Sequence, residues 1–438
     1  MSRFIFFVLF FIFRIIFAQN QMDLDACMRY AVENSYKTAR AAIDADNAKK
    51  EYTKALLAHF PGINGMMGIN SNFGRGIDPE TNTYVNTTSF NNSVGVDVGM
   101  PIFNGLRYLN QTRSAKIAKM LGAERLRQTR DKVAEETMVA YAEVVYYTEL
   151  LELYKKSIDN CKTEVRKMER LYETGGGSPA DLAQVRAKLA SEEYLSIAAR
   201  NNLEISMIKL KDCMNFPLDD TLRIAPQVEK IELYLENQIP GEIIAFASIT
   251  NPTAIVGQKE FEFQKRALSI ARGLYYPSFS LHGGLGTGYN ISTSNNYGPY
   301  FTQFKNNLGE YIGVYISVPV FNGLEYRLNV LEAKNNFKRA QYDYDESLRV
   351  LSSEIRQALR ELEASESQWQ QAQINVEYQQ IANQANQRKY EAGTLSIIEK
   401  QMSDNQLFLS EIELRNAYLR YQIKVREMNY YKGIPYVN

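Results

Sequence analysis

The chain is written twice, and that duplication limits its folds more than any other feature. Pro101-Ile102-Phe103-Asn104-Gly105-Leu106 recurs 218 residues on as Pro319-Val320-Phe321-Asn322-Gly323-Leu324. Tyr172-Glu173-Thr174-Gly175 recurs at the same shift as Tyr390-Glu391-Ala392-Gly393. Phe60-Pro61 echoes Tyr276-Pro277 at a shift of 216. Collinear matches of this kind mark an internal repeat, so two copies of one supersecondary unit must each find partners for their apolar faces. The reading divides the chain into a leader over 1–18, a first repeat over 19–218, a polar, Pro-punctuated linker over 219–241 and a second repeat over 242–438.

Within each repeat the hydrophobic period switches. Val94, Val96, Val98 and Met100 alternate with Gly95, Asp97 and Gly99, while Ile312, Val314, Ile316 and Val318 alternate with Gly313, Tyr315 and Ser317. Period-two alternation predicts strands with one apolar and one polar or small face. Gly-rich segments upstream, 61–73 and 277–289, read as their strand partners, and the intervening stretches 74–89 and 290–306 as polar loops. After each Phe-Asn-Gly the pattern becomes helical. From Leu324 to Ala392 there is neither Gly nor Pro, and from Leu106 to Thr174 the only breaker is Gly122. An interior Pro costs a helix about 3 kcal/mol and a Gly about 1, so this absence predicts uninterrupted helices on the order of 100 Å long.

The apolar stripe of the first long helix runs Val144, Tyr147, Leu151, Tyr154, Ile158, Cys161, Val165, Met168, Tyr172. Its steps of 3 and 4 alternate, the 3.5-residue seam of a coiled coil, and Cys161 reads as a packed thiol on that seam. Gly175 and Gly393 then end the helices, each followed by Gly-x-x-Ser-x-x-acid: Ser178 and Asp181 in the first repeat, Ser396 and Glu399 in the second. Gly supplies the left-handed stop, and Ser with an acid at the third helical position approaches a capping box, so each repeat makes a tight helical hairpin. In the second repeat the seam turns polar toward this turn, through Gln379, Asn383 and Asn386 before Tyr390. Polar seam residues weaken a coiled coil and permit other registers.

The chain opens with a basic start, an apolar run from Phe4 to Phe13 and Ala18 before Gln19, a pattern that reads as a secretory signal peptide, with a membrane anchor as the other reading. Fifty basic residues balance fifty acidic ones, so no net field favours nucleic acid. Two His and three Cys, with no CxxC or HExxH, provide no zinc site, and no nucleophile–base spacing or phosphate-binding loop points to catalysis or a cofactor.

An exported chain built twice from a strand pair and a long helical hairpin resembles the TolC family of outer-membrane efflux and secretion channels, over essentially the whole mature chain. The paired Pro-x-Phe-Asn-Gly segments and the paired turns carry the likeness. The resemblance implies a mainly α chain with a membrane β-barrel, three protomers each giving four strands to a 12-stranded barrel above a periplasmic helical tunnel. It implies a homotrimer in outer-membrane lipid, working with a periplasmic adaptor and an inner-membrane RND or ABC pump. A soluble periplasmic coiled-coil adaptor or scaffold is the competing reading. The family places its periplasmic tip, where the tunnel narrows and the adaptor docks, at Gly175, Ser178, Asp181, Tyr390, Gly393, Ser396 and Glu399. The bland alternative for Asp181 and Glu399 is helix capping alone. A basic latch residue found in some members is Leu395 here, and a second acid one turn after the first is Met402. The implied mobile hairpin is the second, with Gln379, Asn383 and Asn386 on its seam, although the same amides could line a static tunnel. Asp97 is expected in the channel lumen, since a carboxylate facing lipid is costly; the other reading puts it at the membrane edge.

Overall fold

The computed structural model describes residues 21–77, 82–225, 239–293 and 298–437. The leader reading over 1–18 and most of the linker lie outside them. The chain forms two compact units: one of residues up to Asp44, Ala123–Val256 and Glu346 onward, the other of Ala45–Gly122 and Gly257–Asp345. The elements in order are α1 (Leu24–Asn34), α2 (Tyr36–Leu57), β1 (Gly62–Ile77), β2 (Tyr84–Asn104), α3 (Arg107–Glu173) and α4 (Pro179–Met214). Then follow α5 (Pro240–Thr250), α6 (Pro252–Arg272), β3 (Ser278–Ser292), α7 (Tyr300–Asn306), β4 (Gly309–Ser317), α8 (Glu325–Glu391) and α9 (Ile397–Tyr431).

The duplication is visible in the elements themselves. α3 and α8 are each 67 residues long and begin and end 218 apart. The repeat also reaches further upstream than its sequence motifs, because α1 and α5 begin and end 216 apart. Even the break before the next helix recurs. Ser35 Oγ accepts from Lys37 N at 3.2 Å and Asn251 Oδ1 accepts from Thr253 N at 2.9 Å, two short side chains capping equivalent helix starts.

In the first unit, helix faces bury three apolar clusters. One joins Cys27, Met28, Met138, Tyr141, Val144 and Leu210, and a second joins Ile243, Leu351, Ile355, Leu362, Val425 and Met428. The third, smaller cluster sits at the helical turns and is described below. The first-repeat seam is buried or half-buried from Val144 to Met168, while Tyr172, its last expected member, is exposed where the helix runs out. Burial also pushes the Cys161 thiol upward, which suits a packed rather than reactive role.

In the second unit, β1 to β4 form one antiparallel sheet in chain order. Both stretches read as polar loops need correction. β1 and β2 pair as far as Ile77 and Tyr84, so most of 74–89 is strand, and β3 runs to Ser292 before the α7 helix takes up 300–306. Polar residues extend a strand readily when cross-strand neighbours pair with them, as Thr87 Oγ1 and Ser292 Oγ do at 2.6 Å. β4 ends at Ser317, one residue short of the alternation that runs to Val318. Among the described residues no helix is long and apolar enough to cross a membrane.

Candidate channel tip and membrane face

The sheet register sorts side chains onto two faces. Met67 pairs with Val94, Val94 with Thr287, Val96 with Leu285 and Leu281 with Val314. One face therefore carries Ile63, Met67, Ile69, Val96, Met100, Leu285, Ile312, Val314 and Ile316, all exposed, with one exposed carboxylate, Glu310, opposite Leu285. A contiguous exposed apolar face of this size belongs against something other than water. The opposite face carries Asn64, Gly95, Asp97, Gly99, His282, Gly284 and Tyr311. There Asp97 accepts a hydrogen bond from the Tyr311 hydroxyl, across β3. Gly284 stands between them, and a Cβ there would meet Val96 O at 2.7 Å and the Tyr311 ring at 2.9 Å. The missing side chain lets the tyrosine reach the carboxylate. At the repeat shift of 218, Asp97 corresponds to Tyr315, so only strand register reveals Tyr311. β1 and β4 are the sheet's two edges.

At the two helical turns, Gly175 and Gly393 adopt φ of 77° and 72°. Gly175 N donates to Tyr172 O at 3.1 Å and Gly176 N to Leu171 O at 2.8 Å, with Gly393 N to Tyr390 O at 3.0 Å and Thr394 N to Lys389 O at 2.9 Å. Both ends are Schellman stops that need a left-handed residue. The restarts differ. Ser396 Oγ accepts from Glu399 N at 3.2 Å while Glu399 Oε2 accepts from Ser396 N at 3.0 Å, a complete capping box. These Ser396 donors hold the Glu399 carboxyl below its ordinary range. Ser178 Oγ accepts from Ala180 N at 3.1 Å, with Pro179 at the first helical position, and among the described residues Asp181 makes no reciprocal bond.

Between the two turns the third cluster buries Val165, Met168 and Val185 of the first hairpin with Ile397 of the second, and Tyr390 packs against it. The Tyr390 hydroxyl points to Met168 Sδ at 4.0 Å, and its ring lies beneath Lys167 Nζ at 4.8 Å and Lys400 Nζ at 5.7 Å. Burial, together with Glu164 and Asp181 nearby, raises the Tyr390 phenol above its ordinary value.

Lys400 is the centre of this region. It is 6% exposed, and its Nζ lies 3.2 Å from Glu164 Oε1 of the first hairpin and 3.0 Å from Asp404 Oδ2. Burial alone would lower its pKa, but hydrogen bonds and charge from Asp404 and Glu164 outweigh that and raise it. The seam amides join the same network: Asn383 Nδ2 donates to Asp404 Oδ1 at 2.7 Å, and Asn386 Nδ2 to Ser403 Oγ at 3.1 Å. Gln379 is half-buried and joins no such bond among the described residues.

The structure thus brings Tyr390, Asn383 and Asn386 together, and leaves Glu399 on its own cap. The sequence motif around the turn points to acids and not to Lys400 or Glu164. The signal was present as a Lys400–Asp404 pair at i,i+4 and an acid beside Val165 on the seam.

Paired 67-residue helices, a duplicated helical turn and a four-stranded sheet with one apolar face make up the architecture shared with known outer-membrane efflux and secretion channels. The chain belongs to the outer membrane efflux protein family, whose model matches residues 29–215 and 262–430. It is 19% identical over 364 residues to the alkaline protease secretion protein AprF of Pseudomonas aeruginosa, covering 82% of this chain and 71% of that one. It is 20% identical over 422 residues to the outer membrane protein TolC of Vibrio cholerae, covering 94% and 90%. Among solved structures, the Campylobacter jejuni CmeC outer membrane channel superposes with a TM-score of 0.81 at 21% identity, covering 92% of this chain and 84% of that one. Family membership places the chain in the outer membrane, reaching into the periplasm, and makes it a transport protein.

Proposed function

We propose that three copies of this chain form a passive exit duct, taking substrates from a periplasmic adaptor and an inner-membrane RND or ABC pump to the outside. The observation that carries this reading is the sheet: four strands, an exposed apolar face and two edges, β1 and β4, with no strand neighbour among the described residues. Four strands cannot close, and open edges leave backbone groups unpaired in hydrocarbon, so strands pooled from several chains are needed. Twelve strands from three protomers close the barrel.

The helices support the same assembly. α4 exposes Tyr194, Ile197, Ile205 and Ile208, and α8 exposes Ile374, Tyr378 and Ile381. Such apolar rows at coiled-coil spacing suit packing against neighbouring protomers. The substrate-conducting role needs no reaction centre and no cofactor.

At the tip, the Lys400–Glu164 pair and the Tyr390 contacts hold the two hairpins of a protomer together, the closed arrangement. Opening requires the second hairpin to leave this network, and its amide-rich seam tolerates the change. Gly175, Ser178, Asp181, Gly393, Ser396 and Glu399 shape the turns that meet the adaptor. The repeats act as 19–218 and 242–438 about the 219–241 linker.

The test is fractionation of native membranes with carbonate washing, detergent extraction, and light scattering of the released particle. A wash-resistant outer-membrane particle of about three chains supports the duct. A particle of one or two chains overturns it.

A further inference from the structure

Among the described residues, the short helix α7 has no counterpart in the first repeat. The equivalent residues 218 earlier enter strand β2, which starts at Tyr84. α7 instead folds back onto the sheet, and the face it covers is informative. Asn92 Nδ2 donates to the Tyr300 hydroxyl at 2.7 Å, and Thr287 Oγ1 donates to Phe304 O at 2.6 Å. Asn92 precedes Val94 by two residues, and Thr287 pairs with Val94. By strand parity both side chains lie on the apolar face. α7 therefore sits on the sheet's outer, apolar side.

Its position along that side is equally defined. On β3 the apolar face runs through Phe279, Leu281, Gly283, Leu285 and Thr287, a stretch of nine residues. A tilted strand needs about 9–11 residues to cross the hydrocarbon. An aromatic cluster lies just past the Thr287 end of that stretch: Tyr289 and Tyr300 lie 4.9 Å apart, Tyr300 and Phe304 4.6 Å apart. The helix is fastened there by Gln303, whose Oε1 accepts from Asn290 N and whose Nε2 donates to Gly298 O, both at 2.9 Å. Gln303 is buried, Tyr300 and Phe304 face the sheet, and the remaining side of the helix looks away from it. That side carries Phe301, 85% exposed, and Lys305 one turn on, with exposed Leu308 just beyond the helix.

We propose that α7 is an interfacial anchor: Phe301 enters the acyl region of the outer leaflet, and Lys305 lies among the phosphates of its anionic lipid. An aromatic ring with a cation one turn away matches the chemistry of that boundary, where the ring is apolar-facing and the ammonium stays wet. The anchor continues the apolar band, and it rests on the reading that this sheet face meets lipid. It gives the second repeat a grip on the bilayer surface that no described helix of the first repeat supplies.

Trp369 is the sole tryptophan, so Trp369→Phe makes a silent background for single reporters. The assembled protein carrying Phe301→Trp would be reconstituted in phosphatidylethanolamine–phosphatidylglycerol vesicles doped with phosphatidylcholine brominated either near the glycerol or near the chain ends. The expected result is blue-shifted emission, quenched more by bromine near the glycerol. In parallel, brominated phosphatidylglycerol should quench about fivefold more effectively than brominated phosphatidylcholine, a preference lost on adding Lys305→Glu. Val314→Trp, exposed on the same face, is the control and should be quenched by bromine near the chain ends. A quenched Val314→Trp with a water-like, unquenched Phe301→Trp overturns the anchor while leaving the band intact. If neither is quenched, the face assignment itself falls. Equal quenching by the two headgroups removes the role given to Lys305.

Discussion

A single buried lysine concentrates the physics of the tip. Lys400 is held by Glu164 from one hairpin and Asp404 from its own helix, so removing its charge leaves two carboxylates facing each other across the seam. Lys400→Met should loosen the tip by about 1–3 kcal/mol and raise the conductance of the protein in planar bilayers, while Lys400→Arg keeps it near the wild-type level. Unchanged conductance in the methionine variant would remove Lys400 from the closed arrangement. The pH response has a defined sign. Because the folded pKa of Lys400 is raised above its ordinary 10.5, its contribution is complete below that pH and is lost as pH climbs through the folded value. Glu399 is the opposite case: depressed by its Ser396 donors, it contributes above the ordinary carboxylate range and loses that contribution as pH falls through its lowered pKa. Conductance should therefore stay flat through neutral pH and rise toward strong alkali. Ser396→Ala, which removes the cap acceptor, should cost about 1 kcal/mol, measurable as earlier hairpin fraying in hydrogen exchange. At this scale the sequence was only partly legible. The turn glycines and capping serines announce themselves by local rules, but Lys400 meets Glu164 across 236 positions, a contact that no local rule contains.

At the scale of elements, local chemistry explains more. α3 and α8 were readable because breakers are nearly absent over their length and one stripe repeats every 3.5 residues. Strand ends were less so, since Asn86, Thr87, Thr88 and Ser89 read as loop yet pair as strand once a neighbour supplies the hydrogen bonds. α7 was hidden for a related reason: its stability comes from Gln303, Tyr300 and Phe304 docking on β3, not from its own seven residues. The seam amides belong here too. Asn383 and Asn386 hold Ser403 and Asp404 of the antiparallel helix through polar bonds that can be exchanged for water. Replacing Gln379, Asn383 and Asn386 together by Leu would substitute apolar packing that cannot be exchanged so cheaply, and should lock the second hairpin shut. Efflux or secretion by cells carrying the triple variant should fall at unchanged protein level in the outer membrane. Normal transport there would mean that these amides line a static tunnel.

At the scale of the proposed three-chain assembly, one carboxylate per chain would become a ring. Asp97 lies on the polar side of the sheet, and its nearest cross-strand neighbours are small or polar: Asn64, Gly284 and, beyond it, Tyr311. In a closed barrel of three protomers that side faces water, and three Asp97 carboxylates at one height would give the lumen a negative constriction. The Tyr311 hydroxyl holds each carboxylate in place, and Gly284 leaves the space for it. Asp97→Asn should keep the hydrogen bond and the fold while removing three charges per channel, so the reversal potential in a potassium chloride gradient should move toward that of an unselective pore. Tyr311→Phe should leave the charge but free the carboxylate, and so preserve cation preference with noisier single-channel current. The salt dependence adds a further discriminator. A ring in the open lumen is screened over about 10 Å at 0.1 M salt, so the difference between wild type and Asp97→Asn should shrink at 1 M, where screening acts over about 3 Å. A selectivity that is identical in both proteins at low salt would place Asp97 at the membrane edge instead, where it meets lipid headgroups and bulk water and the permeating ions never pass it.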